Sequence, residues 1–199
     1  MTASRVTARA PAEVRLIGGA WKRSKLPVAD KPGLRPTPDR LRETLFNWLG
    51  QDLSGWRCLD AFAGSGALGF EAASRGAAAV TLLERDRTLA RLLQASRERL
   101  QAERLQVENT DALAWLAQPP ATDEARFDLV FLDPPFDAGL FAPALRAALP
   151  WLRDGGLLYL EAPEEWSDAR LAPFGLRRLK HGRVGAAHGH LLQRDNQQP

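Results

Sequence analysis

From residue 56 onward the chain alternates short apolar runs with amphipathic stretches, and this alternation restricts the fold more than any other feature. WRCLDAF (56–62), AAVTLLE (78–84), LQVENT (105–110), FDLVFLD (127–133) and GLLYLEA (156–162) have the length of strands. Stretches of helical period at about 67–75, 86–103, 111–117 and 138–150 separate them. Parallel neighbours need crossover connections, which are right-handed, so the pattern predicts an α/β, Rossmann-like, doubly wound sheet that is mostly parallel. Two later segments, FGLRRLK and HGHLLQR, are joined by the glycine-containing HGRVGAA, which predicts an antiparallel C-terminal hairpin closing the sheet. The expected division is a basic extension with a docking helix over 1–50, the α/β domain over 51–194, and a frayed polar tail over 195–199.

At 199 residues and 45% hydrophobic, the chain can bury one sizeable core. No apolar run approaches the roughly 18 residues of a membrane span, and MTASRVTARAPAEVR lacks a signal peptide's apolar centre, so no membrane partner and a cytoplasmic location are expected. The single cysteine, Cys58, excludes an intrachain disulfide framework and a multi-cysteine zinc site. Charge is unevenly spread. Residues 1–42 hold ten Lys/Arg against three acids (Glu13, Asp30, Asp39), a net of +7, while the remainder carries −4. A basic segment that meets a polyanion, attached to a body that binds something else, is the expected arrangement.

Within that segment RLIGGAWKRSKL sets turn glycines Gly18 and Gly19 among apolar and basic residues in a strand-like way, so Trp21, Lys22, Arg23 and Lys25 are candidate polyanion contacts. In GLRPTPDRLRETLFNWLG, Thr37 is placed as an N-cap, Pro38 as the first helical residue and Asp39 in the positive first turn. Leu41, Leu45, Trp48 and Leu49 follow at helical spacing, with Gly50 as the stop, predicting a helix over about 38–49. Arg35, Arg40 and Arg42 sit near its start, where positive charge opposes the helix dipole, which points to phosphate contact.

Ligands of open α/β sheets bind at the carboxyl ends of the strands. The first strand runs into LDAFAGSGALG, whose Gly64, Gly66 and Gly69 satisfy a dinucleotide fingerprint, with Glu84 20 residues after Gly64 as a ribose-binding acid. Asp60, four residues before Gly64, would repel a pyrophosphate but suit a cation. A ligand with a ribose, an adenine and a cationic amino-acid end, but no phosphate, satisfies Asp60 and Glu84 together. S-adenosylmethionine is such a molecule.

FLDPPF, residues 131–136, ends the fourth strand in two prolines that fix φ and carry no N–H. The turn therefore presents acceptors, the Asp133 carboxylate and the Pro134 carbonyl, with Pro135 stiffening it and Phe136 offering a stacking face. Two acceptors suit a planar exocyclic NH₂, because taking its hydrogens leaves the nitrogen's electron density free to attack a methyl group.

RLIGGAWKRSKLP, GLRPTPDRLRETLFNWL, CLDAFAGSGALGFEAASRGA, LLERD and FLDPPF, in this order, resemble the bacterial RsmD-type methyltransferases over about residues 14–162. The resemblance implies a class I methyltransferase fold and transfer of methyl from S-adenosylmethionine to guanine N2 in 16S ribosomal RNA; free RNA and an assembling small subunit both stay open as the substrate, and a monomer is expected. It also implies that Asp60, Phe62, Gly64 and Gly66 line the methionine side, Glu84 holds the ribose, Asp111 lies near the adenine with Asn109 close by, and Asp133, Pro134, Pro135 and Phe136 form the target-base site. Two departures, Ser24 in place of a usual glycine and a poorly matching last hairpin, touch RNA contacts more than chemistry.

Other residues invite other readings. Cys58 precedes Asp60 on a buried strand, which argues against a cysteine nucleophile. His181, His188 and His190 have no carboxylate or cysteine at ligand spacing, so no metal is expected. The remaining tryptophans scatter at element ends as packing residues. A DNA or RNA adenine-N6 methyltransferase would share the glycine loop and DPPF, an NAD(P) enzyme only the loop, and a non-catalytic RNA-binding module would keep the basic segment but not the acids.

Overall fold

The computed structural model describes residues 13–31, 37–136 and 139–195. The chain opens with strands β1 (Glu13–Arg15) and β2 (Lys25–Pro27) and helix α1 (Asp39–Trp48). There follow β3 (Arg57–Asp60), α2 (Ala67–Ser74), β4 (Ala79–Leu83), α3 (Arg87–Arg99), β5 (Leu105–Glu108), α4 (Ala112–Leu116) and β6 (Phe127–Leu132). Helix α5 (Phe141–Ala148), β7 (Leu152–Ala162), α6 (Asp168–Leu171), β8 (Leu176–Val184) and β9 (Ala187–Arg194) complete it.

The seven-stranded sheet has the order β5-β4-β3-β6-β7-β9-β8. Strands β3 to β7 pair in parallel, and β9 pairs antiparallel with both β7 and β8. The expected closing hairpin is present, but its second strand lies inside, between β7 and β8. Successive strand residues feed two cores. Cys58, Leu82, Leu129, Phe131 and Tyr159 enter one cluster. Their neighbours Leu59, Leu83, Val130, Leu132 and Leu160 enter the other. This is the two-residue period of a sheet buried on both faces, and it explains why the strands read as continuous apolar runs.

The N-terminal segment joins the first of these cores through Leu16 and Leu26 in the β1–β2 hairpin and Leu45 and Phe46 in α1. Glu71 of α2 fastens the hairpin, accepting hydrogen bonds from the amides of Ile17 and Gly18, each 2.8 Å, and from Arg75 Nε at 2.9 Å. Gly19 has φ +72° and a Cβ there would lie 1.8 Å from the Ser74 carbonyl oxygen, so only glycine fits this approach. The Ala20 amide then donates to the same carbonyl at 2.7 Å, satisfying an end-of-helix acceptor.

Two expectations for α1 are corrected. The capping position belongs to Pro38, not Thr37, and among the described residues no side chain caps the helix. The Thr37 hydroxyl is turned away to donate to Asp133 Oδ2 at 3.2 Å. Arg42, expected to meet phosphate, is fully buried. Its Nη2 donates to the Arg15 carbonyl at 3.0 Å and to Asp39 at 2.5 Å, and Nη1 stands 3.7 Å from Glu71. A guanidinium so enclosed holds the helix to the hairpin and presents nothing to RNA. Among the described residues no helix is long and apolar enough to cross a membrane.

Candidate active site

The parallel register brings the carboxyl ends of four strands to one edge. Asp60 closes β3 opposite Leu82 of β4 and Phe131 of β6, and Leu132 of β6 pairs with Leu160 of β7. Glu84, Asp60, Asp133 and Glu161 therefore line up across the sheet and wall one cavity of about 970 Å³. Asp86 and Asp111 add to them, against Lys31 and Arg85 as the only basic side chains among the described lining residues. Such a wall favours a cationic ligand and repels a pyrophosphate.

The glycine loop is tied to these acids. Glu84 accepts from the Gly64 amide at 2.9 Å and from the Asp86 amide at 2.7 Å. Burial raises its pKa, and those two amides oppose the rise. Asp60 Oδ2 accepts from the Gly69 amide at 2.9 Å. Its Oδ1 is buried without a hydrogen-bond partner among the described residues. Burial pushes this carboxyl up to about 7 against the Gly69 amide, with Asp133 and Glu84 adding repulsion. An orphaned carboxylate oxygen beside a glycine loop, next to a ribose-type acid, fits the ammonium-bearing end of S-adenosylmethionine.

Phe62, Gly64 and Asp111 line the cavity. Asp111 also caps α4, accepting from the Ala114 amide at 3.0 Å. Gly66 and Asn109 stand behind the wall. Gly66, at φ +80°, starts α2 where a Cβ would lie 2.6 Å from Leu93, so it serves the turn and the packing. The Asn109 amide braces the carbonyls of Glu84 and Arg85 at 2.8 and 3.1 Å.

Asp133, Pro134, Pro135 and Phe136 all face the cavity, with Pro134 buried and Pro135 exposed. Phe136 leans on Phe141, ring centroids 6.3 Å apart. Three neighbours escape the sequence reading. Thr37 reaches Asp133, Glu161 sits next to it, and Tyr159 donates its hydroxyl to Glu161 Oε2 at 3.2 Å. Burial first, and the Glu161 charge second, hold Asp133 well above the usual carboxylate range, and burial likewise raises Glu161. Glu161 was findable, since it stands near the carboxyl end of the apolar run GLLYLEA, as Asp60, Glu84 and Asp133 stand at or near the ends of theirs. The hairpin tip, Val184 to Ala187, forms a further wall, and Lys31 reaches in to pair with Asp86.

The candidate RNA contacts divide. Lys22, Arg23, Lys25 and Arg40 are exposed, with Lys25 2.6 Å from Glu13. Trp21 is partly buried, edge-on to Phe70 at 6.5 Å, and Arg35 lies outside the described residues. Cys58 is buried and its thiol pushed up by burial, which leaves it unreactive. The hairpin gathers His181, His188 and His190, with His181 Nε2 3.1 Å from His188 Nδ1. His190 has both ring nitrogens engaged, Nε2 accepting from the Trp166 amide at 3.0 Å and Nδ1 3.2 Å from the Leu160 carbonyl.

The strand order, the glycine loop and the acids at the strand ends define a Rossmann-like class I methyltransferase. The chain belongs to the RsmD-type rRNA methyltransferase family, whose model, described as Conserved hypothetical protein 95, matches residues 14–193. It is 46% identical over 155 residues to "Ribosomal RNA small subunit methyltransferase D" of Escherichia coli K12, covering 77% of this chain and 76% of that one. The protein of the same name from Haemophilus influenzae is 44% identical over 173 residues, 81% and 89% of the two chains. Among solved structures, yhhF from E. coli superposes with a TM-score of 0.79 at 41% identity, over 93% of this chain and 99% of that one. HI0767 from H. influenzae gives 0.76 at 39%, over 91% and 98%.

Proposed function

We propose that this protein transfers a methyl group from S-adenosylmethionine to the exocyclic N2 of a guanine in 16S ribosomal RNA, free or within an assembling small subunit, acting as a cytoplasmic monomer without a metal. One observation carries the reading: the acids of the glycine loop and the Asp133–Phe136 turn share a single cavity. When bound, the methyl donor supplies an electrophilic methyl carbon on a sulfonium. Glu84 holds its ribose hydroxyls and Asp60 its ammonium end, with Phe62, Gly64 and Asp111 lining the remainder. Gly66 and Asn109 support that wall from behind.

At the other end Phe136 stacks on the flipped target base, while Asp133 and the Pro134 carbonyl each take one hydrogen of the amino group. The nitrogen lone pair then forms the bond to carbon as the carbon–sulfur bond breaks, and the proton shed by the alkylated nitrogen passes to Asp133 or to water. Positioning and electrostatics supply the rate, with no covalent intermediate. Residues 1–50 act as the RNA-binding extension, through Lys22, Arg23, Lys25, Arg40, Arg35 and the edge of Trp21, and residues 51–194 as the methyltransferase domain.

Transfer of labelled methyl to small-subunit RNA, followed by nucleoside analysis, tests the proposal. N2-methylguanosine is the expected product. N6-methyladenosine, or binding of RNA without transfer, would replace it with one of the alternatives.

A further inference from the structure

Glu161 is 4% exposed, yet it faces the cavity directly beside Asp133, because β6 and β7 run in parallel register. Hydroxyls attend the two carboxyls: Thr37 donates to Asp133 and Tyr159 to Glu161. Among the described residues neither acid has a basic partner within ion-pair distance, and the guanidinium of Arg42, the cation whose charge reaches Glu161, is engaged by Asp39 and Glu71. Among the described residues these adjacent carboxyls, Glu161 buried and Asp133 half-buried, are served by hydroxyls alone and keep acceptor capacity to spare. A ligand that brings two neighbouring N–H donors would satisfy both.

Base chemistry identifies that ligand. In guanine the N2 amino group adjoins N1–H, so the edge offers donor beside donor. In adenine and cytosine the amino group adjoins an unprotonated ring nitrogen, so the edge offers donor beside acceptor. Building on the proposed guanine-N2 reaction, we infer that Glu161 accepts the N1–H of the target guanine while Asp133 accepts the adjoining N2–H, making Glu161 the residue that selects guanine over adenine and cytosine. A base with an acceptor at this position would face the Glu161 carboxylate lone pair to lone pair. Rejection of this kind, which leaves a buried polar group unpaired, discriminates more strongly than shape does.

The test uses the full-length protein and a small-subunit RNA fragment carrying either guanine or 2-aminopurine at the target position. 2-Aminopurine keeps the amino group but has no N1–H. Wild type is expected to methylate guanine about 10- to 150-fold faster in single-turnover kcat/KM, the range for one hydrogen bond to a charged partner. Glu161→Gln, whose amide can donate to an unprotonated N1, should shrink that preference to a few-fold while leaving S-adenosylmethionine affinity as it was. Equal wild-type rates on the two substrates would overturn the inference without recourse to any variant. So would a preference that survives in Glu161→Gln. Absence of N2-methylated product from the guanine RNA with wild type would instead remove the functional reading on which the inference rests.

Discussion

At the glycine-loop end of the cavity, Glu84 has each oxygen held by a backbone amide, from Gly64 and from Asp86, and Asp60 has one oxygen held by Gly69. At the prolyl end, Asp133 and Glu161 meet only the hydroxyls of Thr37 and Tyr159 among the described residues. Backbone amides are fixed as soon as the loop folds, so the first half is preorganised before any ligand arrives. Hydroxyls are fewer and rotate, and the prolines can donate nothing. Among the described residues the second half is short of donors, which on the proposed function the target base supplies. On the proposed function, the difference separates a half that is preorganised for its cofactor from one that completes itself on its target.

The largest expected effect lies in the second half. Asp133→Ala should slow single-turnover methyl transfer at saturating cofactor about 10- to 150-fold, whereas Asp133→Asn, which keeps an acceptor oxygen, should fall between it and wild type. Neither should alter cofactor affinity. Equal rates for the two variants would end the acceptor role, and failure of both to bind cofactor would mean that the turn props up the first half instead.

A smaller effect should appear in the first half as a pH dependence. Asp60, raised to about 7 by burial, ionises between pH 6 and pH 8. A cation prefers the ionised form, so calorimetric affinity for S-adenosylmethionine should rise about tenfold across that interval. S-adenosylhomocysteine lacks the sulfonium charge but keeps the ammonium that Asp60 is proposed to hold, so it should show the same rise. Flat pH profiles for both ligands would show that Asp60 does not sense the ammonium.

The same carboxyl should register in the stability of the free protein. With its pKa raised in the folded state, the folded chain keeps a proton that the unfolded chain releases between about pH 4 and pH 7. Its stabilising contribution is therefore complete below about pH 4 and lost as pH rises through about 7. Asp60→Asn retains an acceptor for Gly69 and removes the charge, so it should raise the Tm at pH 8 by a few degrees, about 2–4 °C per kcal/mol, and flatten the pH dependence. A lower Tm at pH 8 would contradict the buried-charge account.

The least effect on either half is expected from Lys22, Arg23 and Lys25. Their combined replacement by alanine should reduce the log–log salt slope of RNA binding by about 0.7–0.9 for each phosphate they neutralise, with cofactor affinity unmoved. An unaltered slope would make them solvated surface.

The alternation of strands and helices, the glycine loop, and three of the four acids across the sheet edge are legible in the amino-acid sequence alone. Each is a local pattern: an apolar run whose last residue is an acid, or a turn that only glycine or proline can make. Which side chains a helix turns inward is not a local property. Arg40 and Arg42 look alike in the sequence, yet the first is exposed, and the second is buried against Asp39, Arg15 and Glu71, residues up to 29 positions away. Thr37 has the chemistry of a cap, but the approach of β6 gave its hydroxyl a better acceptor in Asp133, 96 positions on. The insertion of β9 between β7 and β8, and the meeting of Asp133 with Glu161, follow from pairing register across the sheet. Local sequence sets what each segment can form and what its side chains can do chemically. Strand register and core packing, which join residues far apart in the chain, decide which of those side chains meet.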